Sequence, residues 1–330
     1  MSEWSEATRH MAGLLGQGDL AWARVVLMEP LERLGGGDWL AALDAAGLLT
    51  QLIPELEPGR ATTQPSAHFL PVLAHQIEAA RAAGWLIAEL HGARLPEQAL
   101  PVGVRQHPGL RWPTRYAEAL RRHLGAPLAG GWSRGALLKL AALLHDIGKP
   151  ATKRVDPDGT VTFYDHPAVG AELAEQAAQR LGFAPEETGY LWQIVKDHMR
   201  PGQLGSGGPI TQRTIDRFFR ATEPSGPDVL LHALADHLAT RGPNLNPAGW
   251  VQHIAWTDAL LDACWGEEVE LTPPLLDGHQ LMQALNLPPG PLVGRLLAAV
   301  GEAQASGTIS TPEEALALAR RELAALKPNT

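Results

Sequence analysis

A helix that runs apolar straight into two adjacent ionisable residues limits this chain's fold more than any other feature. In SRGALLKLAALLHDIGKP, residues 133–150, Ser133 is suited to cap the N-terminus, the run from Ala136 to Leu144 is apolar, and Gly148 and Pro150 end the helix. His145 and Asp146 therefore sit at the inner end of a buried element. Leaving an imidazole and a carboxylate there without partners would cost several kcal/mol. A divalent cation offsets that cost, because both groups are good ligands for it. Two neighbouring residues cannot complete a coordination shell, so other helices must supply the rest. His75, on the helix after Pro71, and Asp236, on the helix after Pro227, are the evident suppliers. Lys149, one turn beyond Asp146, is within reach of a phosphate that a metal would also bind.

The rest of the chain reads as helix. It is rich in Ala and Leu and nearly free of β-branched runs. Short amphipathic helices fill residues 1–60, broken at Gly35-Gly36-Gly37 and by Pro54 and Pro58. Another helix runs from near His68 to about Leu90. Four prolines between Leu95 and Pro113 mark an irregular excursion, and helix resumes from Arg115 to about Gly125. Val155, Val161 and Phe163 flank Asp156-Pro157-Asp158-Gly159, the one convincing hairpin signal, which places a small ribbon near residues 153–163. Pro167, Pro185 and Pro227 each open a helix. The Gly-rich stretch from Pro201 to Pro209 reads as a mobile loop or lid. Thr311, Pro312, Glu313 and Glu314 start the last helix. The expectation is an all-α protein with three parts: a neck-like segment at 1–60, a metal-binding domain at 61–245 and a C-terminal helical domain at 246–330.

Charge and cysteine usage narrow the function classes. The net charge of −9 over 330 residues disfavours tight sequence-independent nucleic-acid binding, though not a nucleotide or an RNA end gripped by a few arginines. The lone Cys264 excludes an internal disulfide and fits a reducing compartment. The charged start has no sustained apolar core, and no stretch approaches ~18 uninterrupted apolar residues, so neither a signal peptide nor a membrane span is expected. A cytoplasmic location follows as the expectation.

The stretch PLAGGWSRGALLKLAALLHDIGKPATKRVDPDGTVTFYDHPAVGAELAE resembles the HD region of bacterial tRNA nucleotidyltransferases (CCA-adding enzymes) and poly(A) polymerases. So do LDAAGLLTQLIPEL at residues 43–56, LLDGHQLMQALNLPPGPLVGRLL and TPEEALALARREL. The resemblance implies an HD helical bundle in which His75 is the first histidine, His145 and Asp146 the core, and Asp236 in LLHALADHLAT the closing aspartate. It further implies that His166 and His198 hold a second ion, with Asp146 bridging. Taken as residues alone, these two histidines also fit surface or capping positions at helix ends. Two departures stand out. Nothing before residue 60 offers the Gly-Ser and Asp-x-Asp pair of a nucleotidyltransferase head, so nucleotide addition by these residues is not expected. Pro71 and Ala74 stand where the family favours an acidic residue beside the histidine, which leaves open what supports His75.

The combined expectation is a metal-dependent phosphohydrolase acting on a phosphoester of a nucleotide or an RNA 3′ end. Its type would be 2′,3′-cyclic phosphodiesterase, 2′-nucleotidase or phosphatase. One or two divalent ions, Mn, Fe, Co, Ni or Mg, would be held by His75, His145, Asp146, His166, His198 and Asp236. Asp146 and Lys149 are the catalytic candidates, and Lys149, Lys153 and Arg200 the phosphate-binding ones. His232, one turn before Asp236, is a candidate supporting residue, and His68 a candidate pocket residue. The alternative is a binding module: the body of a split nucleotidyltransferase that positions tRNA for a separately encoded head.

Overall fold

In the computed structural model the described residues are 4–65, 68–204, 211–266, 275–288 and 311–325, with short stretches between the last two. They form two compact units, Met1–Trp265 and Gly266–Thr330. Most of the Gly-rich stretch after Pro201 lies outside the described residues.

The first unit is helical. Helices α1 (Ser5–Gln17), α2 (Leu20–Leu31) and α3 (Asp38–Ala45) precede the long α4 (Val72–Leu90), α5 (Ala117–Gly125) and α6 (Arg134–Leu144). After them come α7 (His166–Arg180), α8 (Pro185–Asp197), α9 (Gln212–Thr222), α10 (Gly226–Arg241) and α11 (Pro247–Trp265). The second unit contains α12 (Gly278–Leu285) and α13 (Pro312–Ala325), whose buried leucines, valines and alanines form a core of their own. The expected hairpin is a two-residue ribbon, β1 (Arg154–Val155) antiparallel to β2 (Val161–Thr162), with Val155 opposite Val161.

Helix α6 is the central strut. Ser133 caps it by accepting a hydrogen bond from the Ala136 backbone N–H, and every residue from Gly135 to Leu144 is buried. It packs against α4 and α8, and α4 packs in turn against α10. An apolar helix surrounded on all sides can end only in the interior, which fixes the depth of His145 and Asp146. Gly148 permits the next close approach: a Cβ there would overlap the His166 carbonyl oxygen and crowd the Gly170 backbone of α7. Asp165, at φ 63°, takes the left-handed turn that brings the chain into α7.

The boundaries differ from expectation in two places. Helices α1 to α3 contribute Met11, Leu27, Trp39 and Leu40 to the same apolar core as α4 and α6, so the neck-like segment is continuous with the metal-binding unit. The second boundary falls after Trp265 and not near 245, because Trp250, Ile254, Leu260 and Leu261 of α11 are buried in that same core. The Pro, Asn and Gly shift after Gly242 marks a single turn between α10 and α11.

Candidate metal centre

Five helices bring their ends or inner faces to one point. His75 comes from the first turn of α4, His145 and Asp146 from the end of α6, and His166 from the start of α7. His198 follows α8, while His232 and Asp236 lie one turn apart on α10. All are buried except Asp236, which is half-buried at the opening of a cavity of about 950 Å³.

The carboxylate of Asp146 divides the cluster in two. Its Oδ2 lies 3.1 Å from His145 Nε2 and 3.5 Å from His75 Nε2. Its Oδ1 lies 3.4 Å from His166 Nε2 and 3.7 Å from His198 Nε2. Asp236 Oδ1 closes the first group, 3.0 Å from His75 Nε2 and 3.7 Å from His145 Nε2. Two sets result, His75–His145–Asp236 and Asp146–His166–His198, each with its donor atoms close enough to share one ion.

The histidine tautomers show what these sets can accept. His145, His166 and His198 each direct Nδ1 at the carbonyl three residues earlier: Ala142 at 2.8 Å, Phe163 at 2.7 Å and Val195 at 2.6 Å. A carbonyl only accepts, so Nδ1 carries the proton, and in the neutral rings of His166 and His198 Nε2 is then a lone pair. His166 Nε2 and His198 Nε2 then face each other at 3.2 Å with no hydrogen between them. The His75 and His145 Nε2 atoms stand at the same distance. Facing lone pairs beside carboxylates repel in the absence of a cation, and the donor set of imidazole nitrogen and carboxylate oxygen suits a divalent metal. The residues therefore fit the ions expected of them. His75 alone lacks the orienting acceptor, and its Nδ1 is buried with no hydrogen-bond partner, as the missing acidic neighbour foreshadows.

The electrostatics separate the two sets: burial opposes a charge on His145, but Asp146 and Asp236 outweigh it and push that imidazole up. Burial works against ionisation of Asp146, but His145 and Lys149 outweigh it and hold the carboxyl well below its usual range. Asp236 is likewise held low against its own burial, by His75 and His145. Burial pushes His198 down to about 3 and keeps His166 low, which leaves both as neutral, ligating imidazoles. His232 is wedged against the rings of His145 and His198, with centroids at 4.8 and 5.8 Å, and neither of its nitrogens has a hydrogen-bond partner. Burial holds it neutral too, so it supports the ligands as packing.

The expected phosphate contacts are redistributed. Lys149 Nζ sits 2.6 Å from Asp146 Oδ2, out of line for a hydrogen bond, and donates to Gln64 Oε1 at 2.6 Å. It lines the cavity. Lys153 donates to Thr63 and Arg200 to Asp197, and neither lines the cavity. Their positions near His145 and His198 in sequence gave no direction for such long side chains. His68 lines the cavity as expected, and so do His237, Arg241, His253 and Trp256, which motif spacing missed. For His237 and Arg241 a signal existed: they stand at i+4 and i+8 from Ala233, along the partly exposed side of α10 that borders the cavity.

Comparison with known proteins gives similarity to one domain family and to several longer enzymes. Residues 114–241 match the HD domain family model, with His75 outside the matched stretch. The chain is 34% identical to the A-adding tRNA nucleotidyltransferase of Deinococcus radiodurans over 322 residues, 96% of this chain and 62% of that protein. It is 38% identical to the CC-adding tRNA nucleotidyltransferase of Thermus thermophilus over 236 residues, 69% of this chain and 49% of that protein. A bifunctional uridylyltransferase/uridylyl-removing enzyme of Streptomyces coelicolor is 30% identical over 67% of this chain and 20% of its own length. The chain thus spans about half to three fifths of the nucleotidyltransferases it matches. No helix among the described residues is long and apolar enough to cross a membrane. The chain carries an HD domain at residues 114–241 and, along nearly its whole length, is similar to the tRNA nucleotidyltransferases.

Proposed function

We propose that the chain is a metal-dependent phosphohydrolase whose substrate is a phosphoester of a nucleotide or an RNA terminus, in the manner of a 2′,3′-cyclic phosphodiesterase, 2′-nucleotidase or phosphatase. The observation that carries this reading is the facing pair of Nε2 lone pairs, His166 and His198 at 3.2 Å, with Asp146 between them and His145. His75, His145 and Asp236 would hold one divalent ion, and His166 and His198 a second, with Asp146 offering one oxygen to each. Such ions, when bound, lower the pKa of a bound water toward neutrality and neutralise charge on phosphoryl oxygens.

The chain's own residues account for the rest. The three Nδ1–carbonyl bonds keep the imidazoles aimed and in the ligating tautomer. Lys149 has three N–H donors. Gln64 takes one, and the Asp146 carboxylate attracts the ammonium without a hydrogen bond, so the other N–H groups are available for a phosphoryl oxygen as negative charge builds. Asp146 is thereby both a ligand and the anchor of the residue that meets the phosphate.

Similarity to the A-adding enzyme along 96% of the chain supports a second reading, the tRNA-binding body that works with a separate nucleotidyltransferase head. Elemental analysis together with a hydrolysis screen separates the two. Protein loaded with Mn, Co or Ni is expected to retain metal stoichiometrically and to cleave bis-p-nitrophenyl phosphate or a 2′,3′-cyclic nucleotide. A preparation that binds tRNA, retains no metal and cleaves none of these substrates would favour the body-subunit reading.

A further inference from the structure

The cavity is much larger than a phosphate needs, and its far wall is chemically distinct from the metal ligands. Ala233, His237 and Arg241, at i, i+4 and i+8, present one face of α10 to it beside Asp236. Two flat side chains stand nearby: Tyr164, 68% exposed after the ribbon, and Trp256 of α11. Among the described residues lining the cavity, Lys149 and Arg241 are the cations other than histidine, and Lys149 stands beside Asp146 and Gln64, at the metal-ligand end. Arg241 makes no ion pair with a carboxylate among the described residues, and its head is exposed at the cavity rim.

We infer that Arg241 holds a second phosphate of the substrate, so that the site takes the 3′ end of an oligonucleotide in preference to a free mononucleotide. The inference rests on the phosphohydrolase reading for the identity of the first phosphate. If the metal ligands receive the terminal phosphate, Arg241 lies five residues, or about 7.5 Å of helix axis, beyond Asp236. Both side chains line the same cavity, so a strand that gives one phosphate to the ligands can present the next to the long arm of Arg241. A guanidinium fork is also the group that grips a phosphodiester through two parallel hydrogen bonds. Tyr164 and Trp256 offer stacking faces for the bases on either side, which is a sequence-tolerant contact. Arg241 also lies in the last turn of α10, where a cation favours the helix dipole. A residue kept only for that purpose would affect stability and leave substrate choice alone.

The test uses the full metal-loaded chain and Arg241→Gln. The first arm measures binding of a 5′-labelled RNA tetranucleotide ending in a 3′-phosphate. Arg241→Gln is expected to weaken it at least tenfold, about 1.4 kcal/mol, and Arg241→Lys to recover part of the loss. The second arm compares an oligonucleotide and a mononucleoside that both carry a terminal 2′,3′-cyclic phosphate. Wild-type protein is expected to favour the oligonucleotide through KM, and Arg241→Gln to erase that advantage with little change in kcat. Equal tetranucleotide affinity in wild type and Arg241→Gln, or no measurable affinity in wild type, would overturn the inference. So would an equal loss on both substrates. If wild type cleaves neither substrate the phosphohydrolase reading falls, while the affinity arm still decides the role of Arg241.

Discussion

Two buried aspartates in this unit have opposite fates. Asp228 of α10 is fully buried, and its carboxylate is met by His123 Nε2 at 2.7 Å, Arg134 Nη1 at 3.1 Å and the Tyr190 hydroxyl at 2.9 Å. Every group in that cluster donates to the one acceptor, and the set closes on itself. Asp146 is as deeply buried, yet beside it His166 and His198 turn lone pairs toward its Oδ1, and its Oδ2 accepts no hydrogen bond. The Asp228 cluster ties α5, α6, α8 and α10 together; the Asp146 cluster remains unsatisfied until a cation arrives. A buried His–Asp pair is therefore a poor marker of a metal site by itself. What distinguishes the site is a surplus of acceptors.

This contrast can be broken by exchanging what each aspartate loses. Asp146→Ala is expected to abolish divalent-metal retention and to lower phosphodiester hydrolysis by several orders of magnitude, because the activated water is lost with the metal. Circular dichroism should show the helical fold retained, since the apolar contacts of α6 remain. Full activity in this variant would place hydrolysis elsewhere in the chain. Asp228→Ala should do the reverse. Removing one partner from a buried, hydrogen-bonded charge pair costs about 3–5 kcal/mol, so the denaturation midpoint should drop sharply while the remaining folded protein retains its metal. Loss of metal at unchanged stability would make the Asp228 cluster part of the site.

Lys149→Ala sharpens the comparison within the metal cluster. Metal content should persist, and kcat/KM should fall by the equivalent of ~2–4 kcal/mol, as for other preorganised charge donors. A loss of metal equal to that of Asp146→Ala would recast Lys149 as a prop for the ligands.

Lys139 is a third kind of buried charge. It is almost wholly inaccessible, donates to the Leu31 and Arg33 carbonyls at 2.6 and 2.7 Å, and has its ammonium pushed down to about 7 by burial, which Glu32 and Asp38 offset only in part. In the unfolded chain a lysine titrates near ~10.4. Between these values the unfolded state binds more protons, so the Lys139 contribution to stability rises with pH from about 7 to ~10.4 and is flat outside that window. The stability difference between wild type and Lys139→Met should follow this course, increasing toward alkaline pH. A difference independent of pH from 7 to 10 would show that Lys139 keeps its proton in the folded protein throughout that range, as it does in the unfolded chain.

Much of the framework was legible because it depends on local rules. Ser133 capping α6, Pro185 opening α8, Thr311 pairing with Glu314 at the start of α13 and the ribbon around Asp158-Gly159 all appear where turn and cap chemistry put them. The convergence of the candidate ligands was legible for a related reason. An apolar helix that ends in His145-Asp146 can stop only in the interior, and a buried charge there calls for His75 and Asp236 from other helices. The Nδ1–carbonyl bonds within each helix end are local as well, which is why His166 and His198 arrive already aimed.

Side-chain direction at long range belonged to the tertiary structure. Arg200 and Lys153 were reasonable phosphate contacts by proximity in sequence, but Arg200 folds back on Asp197 and Lys153 onto Thr63. Arg241, His237 and His253 reach the cavity only because α10 and α11 pack beside each other across the turn at Gly242. The two oxygens of Asp146 face the two sets separately, a division that the family resemblance implied and that local spacing alone does not encode. Sequence by itself determined which groups must be buried and what chemistry would satisfy them, because burial and capping are properties of single elements. Packing alone decided which cations face the substrate, because that depends on how separate helices meet.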